Sequence, residues 1–534
     1  MSFVNTEFLI FLAVSVIIYY LIYIIKPIRK YQWVWLLVIS YYYYLSFGFK
    51  IVFFILFTTI TTYAGAILVE KISNKGDIKL KQEKDTLTRD EKKKIKTEIR
   101  NKKRRVVALI LVCNFGILAV LKYLNFFIEN INAVAGLTGT ANEIGLMKLI
   151  LPIGISFYTF QSMGYIIDVY QGKYKAERNI LKFALFVSFF PQIMQGPIGR
   201  FNKLAVQLYE NHSFDLRRIE RGLQLILWGI CKKMILADRI SPFVNIVFNE
   251  YYRFCGFFNI VAIILYTIQL YADFSGGMDI VMGSAEMLGI SLDQNFRQPF
   301  FSKSISEFWR RWHITLGTWM KDYLFYPFSL SKPMNKFSKF LKKHCGAHIG
   351  KVLPICIADI LIFFVVGVWH GAAWKYIAYG IFNGFIIAFS SLMEPVYDKT
   401  KAFLHINSKS FGWKLFQIIR TTALVVISNF FDIAVSFSAA ITMMKDIVYQ
   451  INLQQLTDGT MFGMKMLPKD FIIVGVGCLI WLIVSIIKEK GYDVRDAIEN
   501  RPLVIRWAIY LVLIFAIPIF GYIGETTGFI YAQF

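Results

Sequence analysis

One histidine stands at the end of a membrane-length apolar segment. His370 follows Trp369, and the apolar run that leads to it begins at Ile360. Histidine is the side chain best suited to move a proton near neutral pH, and ionisable residues at membrane depth commonly mark functional sites. A neutral imidazole here can act as a general base toward a hydroxyl group. The residue alone is equally compatible with a core histidine that is hydrogen-bonded across helices.

A second tryptophan–histidine pair, Trp312-His313, lies upstream beside Arg310 and Arg311. From Ile305 to Tyr326, apolar side chains recur with helical spacing and charged side chains fall opposite, with His313 at the border. This pattern predicts one amphipathic helix, interfacial or re-entrant. Two interpretations of His313 stay open: a solvated residue at the headgroups, with the arginines on phosphates, or a residue that faces a ligand.

The composition predicts an all-α polytopic membrane protein. Of the 534 residues, 56% are hydrophobic and 18% charged, and mean hydropathy is +0.51. Several apolar runs approach the roughly 20 residues that a spanning helix needs. The net charge of +24 is concentrated in loops, above all in residues 71–105, with 15 Lys or Arg and 6 Asp or Glu. This distribution favours cytoplasmic loops at anionic lipid headgroups over nucleic-acid binding.

The apolar segments predict roughly eleven spans plus re-entrant pieces, with both termini outside. The first segment lacks Lys, Arg and a small-residue cleavage site, so we expect it to remain as a span rather than to be a cleaved signal. The charged stretch 71–105 should be cytoplasmic and either a helical hairpin or partly disordered. No internal repeat is evident, which weakens a transporter interpretation.

The middle of the chain, residues 183–330, is apolar but broken by prolines and polar groups, among them Gln195 and Asp273. Irregular backbone at membrane depth is tolerated where it is buried in protein or lines a water-filled cavity. We therefore predict that this region builds a polar cavity. A metal site is not expected: Cys345 lies between two histidines, but its loop is rich in lysine.

Other catalytic signatures are missing from the sequence. It has no serine nucleophile elbow, which argues against a Ser-His-Asp hydrolase, and no P-loop or dinucleotide fingerprint. One tyrosine stands apart from the many that suit a membrane interface: Tyr531, in the final six residues 529–534. On composition alone it is compatible with a simple aromatic membrane anchor.

Several stretches together resemble the bacterial branch of the membrane-bound O-acyltransferase family, which includes alginate and peptidoglycan O-acetyltransferases and the teichoic-acid D-alanylation protein. Any one stretch is weak, but their shared order and spacing over about residues 150–390 are specific. The stretches are Leu151–Gln161, Phe190–Pro197, Tyr271–Gly276, Asn295–Pro299, Phe308–His313 and Trp369–Ala372.

The resemblance implies a ring of helices around a central tunnel, in a single membrane domain covering 1–534. Within it, we expect N-terminal helices in 1–148, the catalytic core in 149–393 and C-terminal helices with an exterior tail in 394–534. It also implies that His370 is the catalytic histidine and His313 its second histidine. The final six residues resemble an exterior aromatic motif of this branch, in which the tyrosine, here Tyr531, receives the acyl group and passes it on.

The implied function is transfer of acetyl from cytoplasmic acetyl-CoA to an exterior hydroxyl, for O-acetylation of a surface polysaccharide. Expected partners are the bilayer, an exterior membrane-anchored acyltransferase and a donor at the cytoplasmic face of the bacterial inner membrane. No tightly bound cofactor is expected. The alternative is D-alanyl transfer from the phosphopantetheine of an acidic carrier protein to teichoic acid. Expected substrate-binding residues are Trp369, Trp312, Arg310, Arg311, Gln195 and Asp273.

Overall fold

A computed structural model describes residues 3–83, 85–137, 143–254, 256–524 and 528–530. These residues form helices joined by turns and irregular loops. No β-strand is present among them, and the only β-type pairing there is an isolated bridge between Phe296 and Trp312. The predicted all-α class is confirmed. The chain divides into two compact units: Met1–Gly222 with Val281–Asp293, and Leu223–Ile280 with Gln294–Phe534.

The first unit is built from the N-terminal helices. They are α1 (Thr6–Ile24), α2 (Gln32–Leu45), α3 (Phe49–Gln82), α4 (Arg89–Leu137), α5 (Ile155–Gln171), α6 (Ile180–Ser188), α7 (Phe190–Ile193) and α8 (Phe201–Tyr209), followed by α9 (Leu216–Cys231), which continues into the second unit.

The described residues of the charged segment 71–105 form a helical hairpin, made by the end of α3 and the start of α4. Thr88 and Glu91 form a capping box at the start of α4: the Thr88 N–H donates to Glu91 Oε2 at 2.8 Å, and the Glu91 N–H donates to Thr88 Oγ1 at 3.3 Å. Such a box satisfies N–H groups that a helix start leaves without partners. Gly76 admits the Ile99 side chain, so that the two arms pack closely.

The second unit contains a π-helical segment at Lys232–Ala237, directly after α9, and another at Lys321–Phe325. Its α-helices are α10 (Asp238–Asn249), α11 (Phe257–Met287), α12 (Ile305–Arg311), α13 (Ile314–Met320), α14 (Tyr326–Ser329), α15 (Lys332–Cys345), α16 (Ala347–His370), α17 (Trp374–Leu392), α18 (Glu394–Phe403), α19 (Phe411–Ile433), α20 (Phe437–Tyr449), α21 (Pro468–Glu489), α22 (Val494–Glu499) and α23 (Leu503–Phe520).

Eight of the described helices are long and apolar enough to cross a membrane, or nine if the bent pair α17–α18 forms one span. The multi-pass prediction is therefore confirmed. The number is below the roughly eleven expected, partly because two predicted spans form shorter helices: α2 has 14 residues and α5 has 17. A spanning helix needs about 20 residues at 1.5 Å each.

Two features of the second unit position the candidate site. The most apolar window of α11 is 72% buried, against 0% for α23, so α11 is an internal scaffold and α23 lies at the periphery. Helices α16 and α17 approach closely through Gly367 and Gly380, where an added Cβ would overlap the facing backbone. Small residues allow this kind of contact between membrane helices.

Candidate active site

The two predicted histidines come together around one tryptophan. The centroid of the Trp369 ring lies 5.6 Å from that of His313 and 5.3 Å from that of His370. All three residues are buried: His313 and His370 are each 2% exposed and Trp369 is 4% exposed. The structure thus joins two tryptophan–histidine pairs that are far apart in the sequence.

His370 is the last residue of α16, and the chain turns sharply after it. Gly371 is extended, and a Cβ at this position would overlap the ring of Tyr376. Glycine at position 371 therefore leaves room for the Tyr376 side chain beside His370. The His370 ring also contacts Tyr379, at 5.1 Å between centroids, so aromatic side chains fix the orientation of the imidazole.

A carboxylate faces the His370 ring. Asp432, near the end of α19, places Oδ1 3.5 Å from His370 Nδ1, and both side chains are nearly inaccessible, at 1% and 2% exposed. The other carboxylate oxygen accepts a 2.6 Å hydrogen bond from the Tyr266 hydroxyl on α11. Buried charges need such partners, because an isolated carboxylate at this depth is strongly disfavoured.

Lys375 secures the end of the helix that carries Asp432. Its ammonium donates to the backbone oxygens of Asp432 and Ala434, at 3.0 and 2.7 Å. The last carbonyls of a helix lack partners within that helix, and a lysine that donates to them stabilises the terminus. Because Lys375 lies at the start of α17, only five residues after His370, the connection between α16 and α17 positions groups that hold both members of the His370–Asp432 pair.

The backbone conformation at His313 differs from the prediction. The single helix expected from Ile305 to Tyr326 is wrong: α12 ends at Arg311, His313 has φ +44°, and α13 begins at Ile314. A left-handed conformation is unfavourable for a residue with a Cβ, and it commonly marks a functional constraint.

The break at His313 is stabilised by Asn295. The Ile314 N–H donates to the Asn295 carbonyl oxygen at 3.1 Å, and the Thr315 N–H donates to Asn295 Oδ1 at 3.0 Å. The Phe274 ring of α11 packs 4.9 Å from the His313 ring. The apolar residues do recur with helical spacing, but these hydrogen bonds to Asn295 outweigh continuous helix formation.

The remaining predicted residues near His313 serve mainly in packing and ion pairing. Trp312 is 3% exposed and stacks on Phe308 at 5.4 Å. Arg311 pairs with Glu307 and with Glu489, both at 2.7 Å. Arg310 is exposed, and its guanidinium lies 3.5 Å from Ser306. Substrate binding by Trp312, Arg310 and Arg311 stays a prediction.

Asp273 and Gln195 lie in different environments. Asp273, 1% exposed, pairs with Lys233 at 2.7 Å in the second unit. Gln195 belongs to the first unit and is fully buried; neither amide atom has a hydrogen-bond partner among the described residues. Substrate binding by both also stays a prediction. Tyr531 lies outside the described residues.

Asp432, Tyr266 and Lys375 were not identified from the sequence as parts of the site. One signal was available for Asp432, because an acidic residue in the apolar segment 411–433 is an ionisable group at membrane depth. Its pairing with His370 depends on tertiary packing of α16 and α19, which a single sequence does not encode in any local pattern.

Chemically, the site offers a buried imidazole whose Nδ1 faces a carboxylate. When Nδ1 carries the proton toward Asp432, Nε2 has a lone pair with which to accept a proton, and the carboxylate stabilises the imidazolium that forms. Within the described residues, no three His, Cys, Asp or Glu side chains are grouped so that they could hold a metal ion. The arrangement is suited to general-base chemistry.

These histidines fall within a recognisable family segment. Residues 177–431 match the model of MBOAT, the membrane-bound O-acyltransferase family, so the predicted resemblance to this family is confirmed. Asp432 follows the last matched residue directly.

Three relatives show the range within the family. Probable alginate O-acetylase AlgI of Azotobacter vinelandii is 37% identical over 281 residues, covering 53% of this chain and 52% of the relative. Peptidoglycan O-acetyltransferase of Helicobacter pylori is 30% identical over 337 residues, covering 58% and 59%. Teichoic acid D-alanyltransferase of Streptococcus thermophilus is 31% identical over 246 residues, covering 45% and 57%. The chain spans little more than half the length of these curated relatives.

Proposed function

We propose that this protein is a membrane-bound O-acyltransferase that moves acetyl from cytoplasmic acetyl-CoA to an exterior hydroxyl, for O-acetylation of a cell-surface polysaccharide. The observation that carries the proposal is the buried His370–Asp432 pair at the end of the family segment. The names of the alginate and peptidoglycan O-acetyltransferase relatives support acetyl as the group and a polysaccharide as the final acceptor.

In the proposed reaction, His370 Nε2 takes the proton of the attacking hydroxyl as its oxygen bonds to the thioester carbonyl carbon. The carbon–sulfur bond breaks, and the thiolate leaves and takes the proton from the imidazolium. Asp432 stabilises the charge that His370 carries in between. A general base contributes about 10²–10⁴-fold to such a step.

His313 has a supporting role in this scheme, in which it orients the thioester or polarises its carbonyl. Its proximity to His370 through Trp369 supports this assignment. The aromatic surroundings exclude water, which strengthens the electrostatic interactions of the site and protects the thioester from hydrolysis.

The acceptor hydroxyl in this proposal is that of Tyr531, which hands the acyl group to a second, exterior membrane-anchored acyltransferase. The support for it is the resemblance of residues 529–534 to the exterior aromatic motif of this branch, together with the alternation of basic loops, from which the sequence predicts that this end of the chain is outside. The basic hairpin of α3 and α4 would then face the cytoplasm and attract an anionic donor.

The test replaces His370. His370→Ala should reduce surface acetylation at least about 100-fold at normal expression, because the general base is removed. His370→Gln keeps a similar volume and serves as a second variant should the alanine protein fold poorly. His344→Ala is the matched control, since His344 is an exposed residue whose ring packs against Phe340, and it should acetylate normally. Full acetylation in both His370 variants would contradict the assignment.

A second candidate cargo is D-alanine, delivered by the phosphopantetheine of an acidic carrier protein for teichoic-acid D-alanylation. The 31% identity to a teichoic acid D-alanyltransferase favours it over unrelated cargos. Acyl groups released by mild base from purified envelopes and identified by mass distinguish the two: acetyl supports the first proposal, and D-alanine replaces it with the second.

A further inference from the structure

Three charged side chains form a buried cluster: Lys233 in the π-helical segment, Asp238 at the start of α10 and Asp273 in the middle of α11. The Lys233 ammonium is 2.7 Å from Asp273 Oδ1 and 2.7 Å from Asp238 Oδ1. Each of the three side chains is 3% exposed or less. One lysine and two aspartates leave an excess of negative charge in a desolvated place, which is unfavourable unless other donors complete the cluster.

The segment just before Tyr531 supplies such a donor. The backbone N–H of Ile530 donates to the second oxygen of Asp273 at 2.8 Å. The Phe529 ring, 3% exposed, lies with its centroid 4.8 Å from Lys233 Nζ. A hydrogen bond from a backbone N–H to a carboxylate is of the stronger, charge-assisted kind, and a cation over an aromatic face is also attractive.

Residues next to Lys233 in the chain also bind the backbone at the end of α23. The Tyr522 N–H donates to the Met234 carbonyl oxygen at 3.0 Å, and the Arg239 guanidinium donates to the Phe520 carbonyl oxygen. Met234 lies in the π-helical segment Lys232–Ala237. Lys233, Met234, Arg239 and Asp273 thus each contact one residue between 520 and 530.

The cluster is adjacent to the candidate active site along α11. Asp273, which binds Ile530, immediately precedes Phe274, whose ring contacts His313 at 4.9 Å. Further back on the same helix, Tyr266 donates to Asp432, the partner of His370. One buried helix therefore contacts His313, Asp432 and the segment that leads to Tyr531.

We infer that Lys233, Asp238 and Asp273 form a binding site for the C-terminal segment of this chain, in which Asp273 is a positioning residue that fixes the backbone before Tyr531 for acyl transfer. The inference rests on the proposed relay through Tyr531. It also gives Asp273 a different role from the one expected from the sequence: this carboxylate binds the chain's own peptide N–H.

The first experiment measures amide hydrogen exchange by mass spectrometry in the purified full-length protein, without any acyl donor. In Asp273→Ala, peptides containing Ile530 should exchange faster, because their N–H loses its acceptor. Asp279→Ala is the matched control: Asp279 lies on the same helix and pairs with buried Lys232 at 2.8 Å, but makes no such bond to the segment. Equal exchange in the two variants would overturn the binding site.

The second experiment leaves the charge cluster intact. Ile530→Pro removes the N–H donor, whereas Ile530→Ala keeps it. With radiolabelled acetyl-CoA as donor, base-labile labelling of the protein, corrected by a Tyr531→Phe blank, should fall about tenfold or more in the proline variant. The alanine variant, which keeps the N–H, should label markedly faster than the proline variant. A wild-type rate in the proline variant would overturn the positioning role.

The two readouts keep this inference distinguishable from the relay itself. If the wild-type protein takes up no label above the Tyr531→Phe blank, the relay is contradicted. The exchange comparison still decides whether Asp273 binds the segment, because it needs no chemistry. Faster exchange in Asp273→Ala together with slow labelling of Ile530→Pro supports the whole inference.

Discussion

The surroundings of the two histidines differ in a way that bears on their roles. His370 ends a regular helix and faces a buried carboxylate, which is itself bonded to a tyrosine. His313 sits in a left-handed turn between two short helices, with aromatic rings of Phe274 and Trp369 against its imidazole. The carboxylate beside His370 can compensate a positive charge on its imidazole, which supports the proposed roles: proton transfer for His370 and orientation of the substrate for His313.

The largest effect after loss of His370 itself is expected at its carboxylate partner. Asp432→Asn keeps the shape but removes the charge that stabilises the imidazolium, so the acetylation rate should fall about 100-fold or more. Asn429→Ala is the control, because Asn429 lies one turn earlier on α19 and bonds Thr267 of α11, not His370. A rate for Asp432→Asn equal to that of the control would remove the distinction between the histidines.

A smaller loss is expected at the second histidine. His313→Ala should lower the rate by roughly 10–100-fold, since it removes orientation or carbonyl polarisation but leaves the base in place. His348→Ala provides the comparison, as this ring lies against the Leu392 carbonyl oxygen at 3.2 Å rather than in the site. A greater loss of activity in His313→Ala than in His370→Ala, at equal expression, would reverse the roles proposed for the two histidines.

The smallest effect should come from the hydroxyl that supports Asp432. Tyr266→Phe deletes a 2.6 Å hydrogen bond to the carboxylate, at a cost of about 1–2 kcal/mol, which corresponds to a rate reduction of about fivefold to thirtyfold. Tyr271→Phe, on the same helix and stacked on Trp481, should change the rate little. Rates measured side by side with wild-type protein check both expectations; a larger loss in Tyr271→Phe would contradict the route through Asp432.

Local pattern was sufficient for some parts of the molecule. Apolar runs identified the membrane class, and Trp369 and His370 stood out because histidine is rare after such a run. The helix break at His313 could not be derived, because it depends on Asn295, which is distant in sequence from the apolar periodicity that favoured one helix. Asp432 was missed for the same kind of reason: its significance lies in a contact between α16 and α19.

Asp273 shows a different limit of sequence reasoning. The sequence predicted substrate binding for this polar residue in an apolar stretch, and a buried aspartate in such a helix requires partners. Its partners turned out to be Lys233 and the Ile530 N–H, the latter more than 250 residues away and adjacent to another flagged residue. The sequence thus pointed to Asp273 and Tyr531 separately, and the hydrogen bond from Ile530 links Asp273 to the residue just before Tyr531.

The central claim is that His370 drives transfer of an acyl group to an exterior hydroxyl on Tyr531. The most direct test is mass spectrometry of the peptide that carries Tyr531, isolated from cells that produce wild-type protein or His370→Ala at equal levels. The account predicts an acetyl mass on Tyr531 in the wild type and none in the variant. An unmodified Tyr531 in an actively acetylating wild type, or an acyl group retained in the variant, would contradict it.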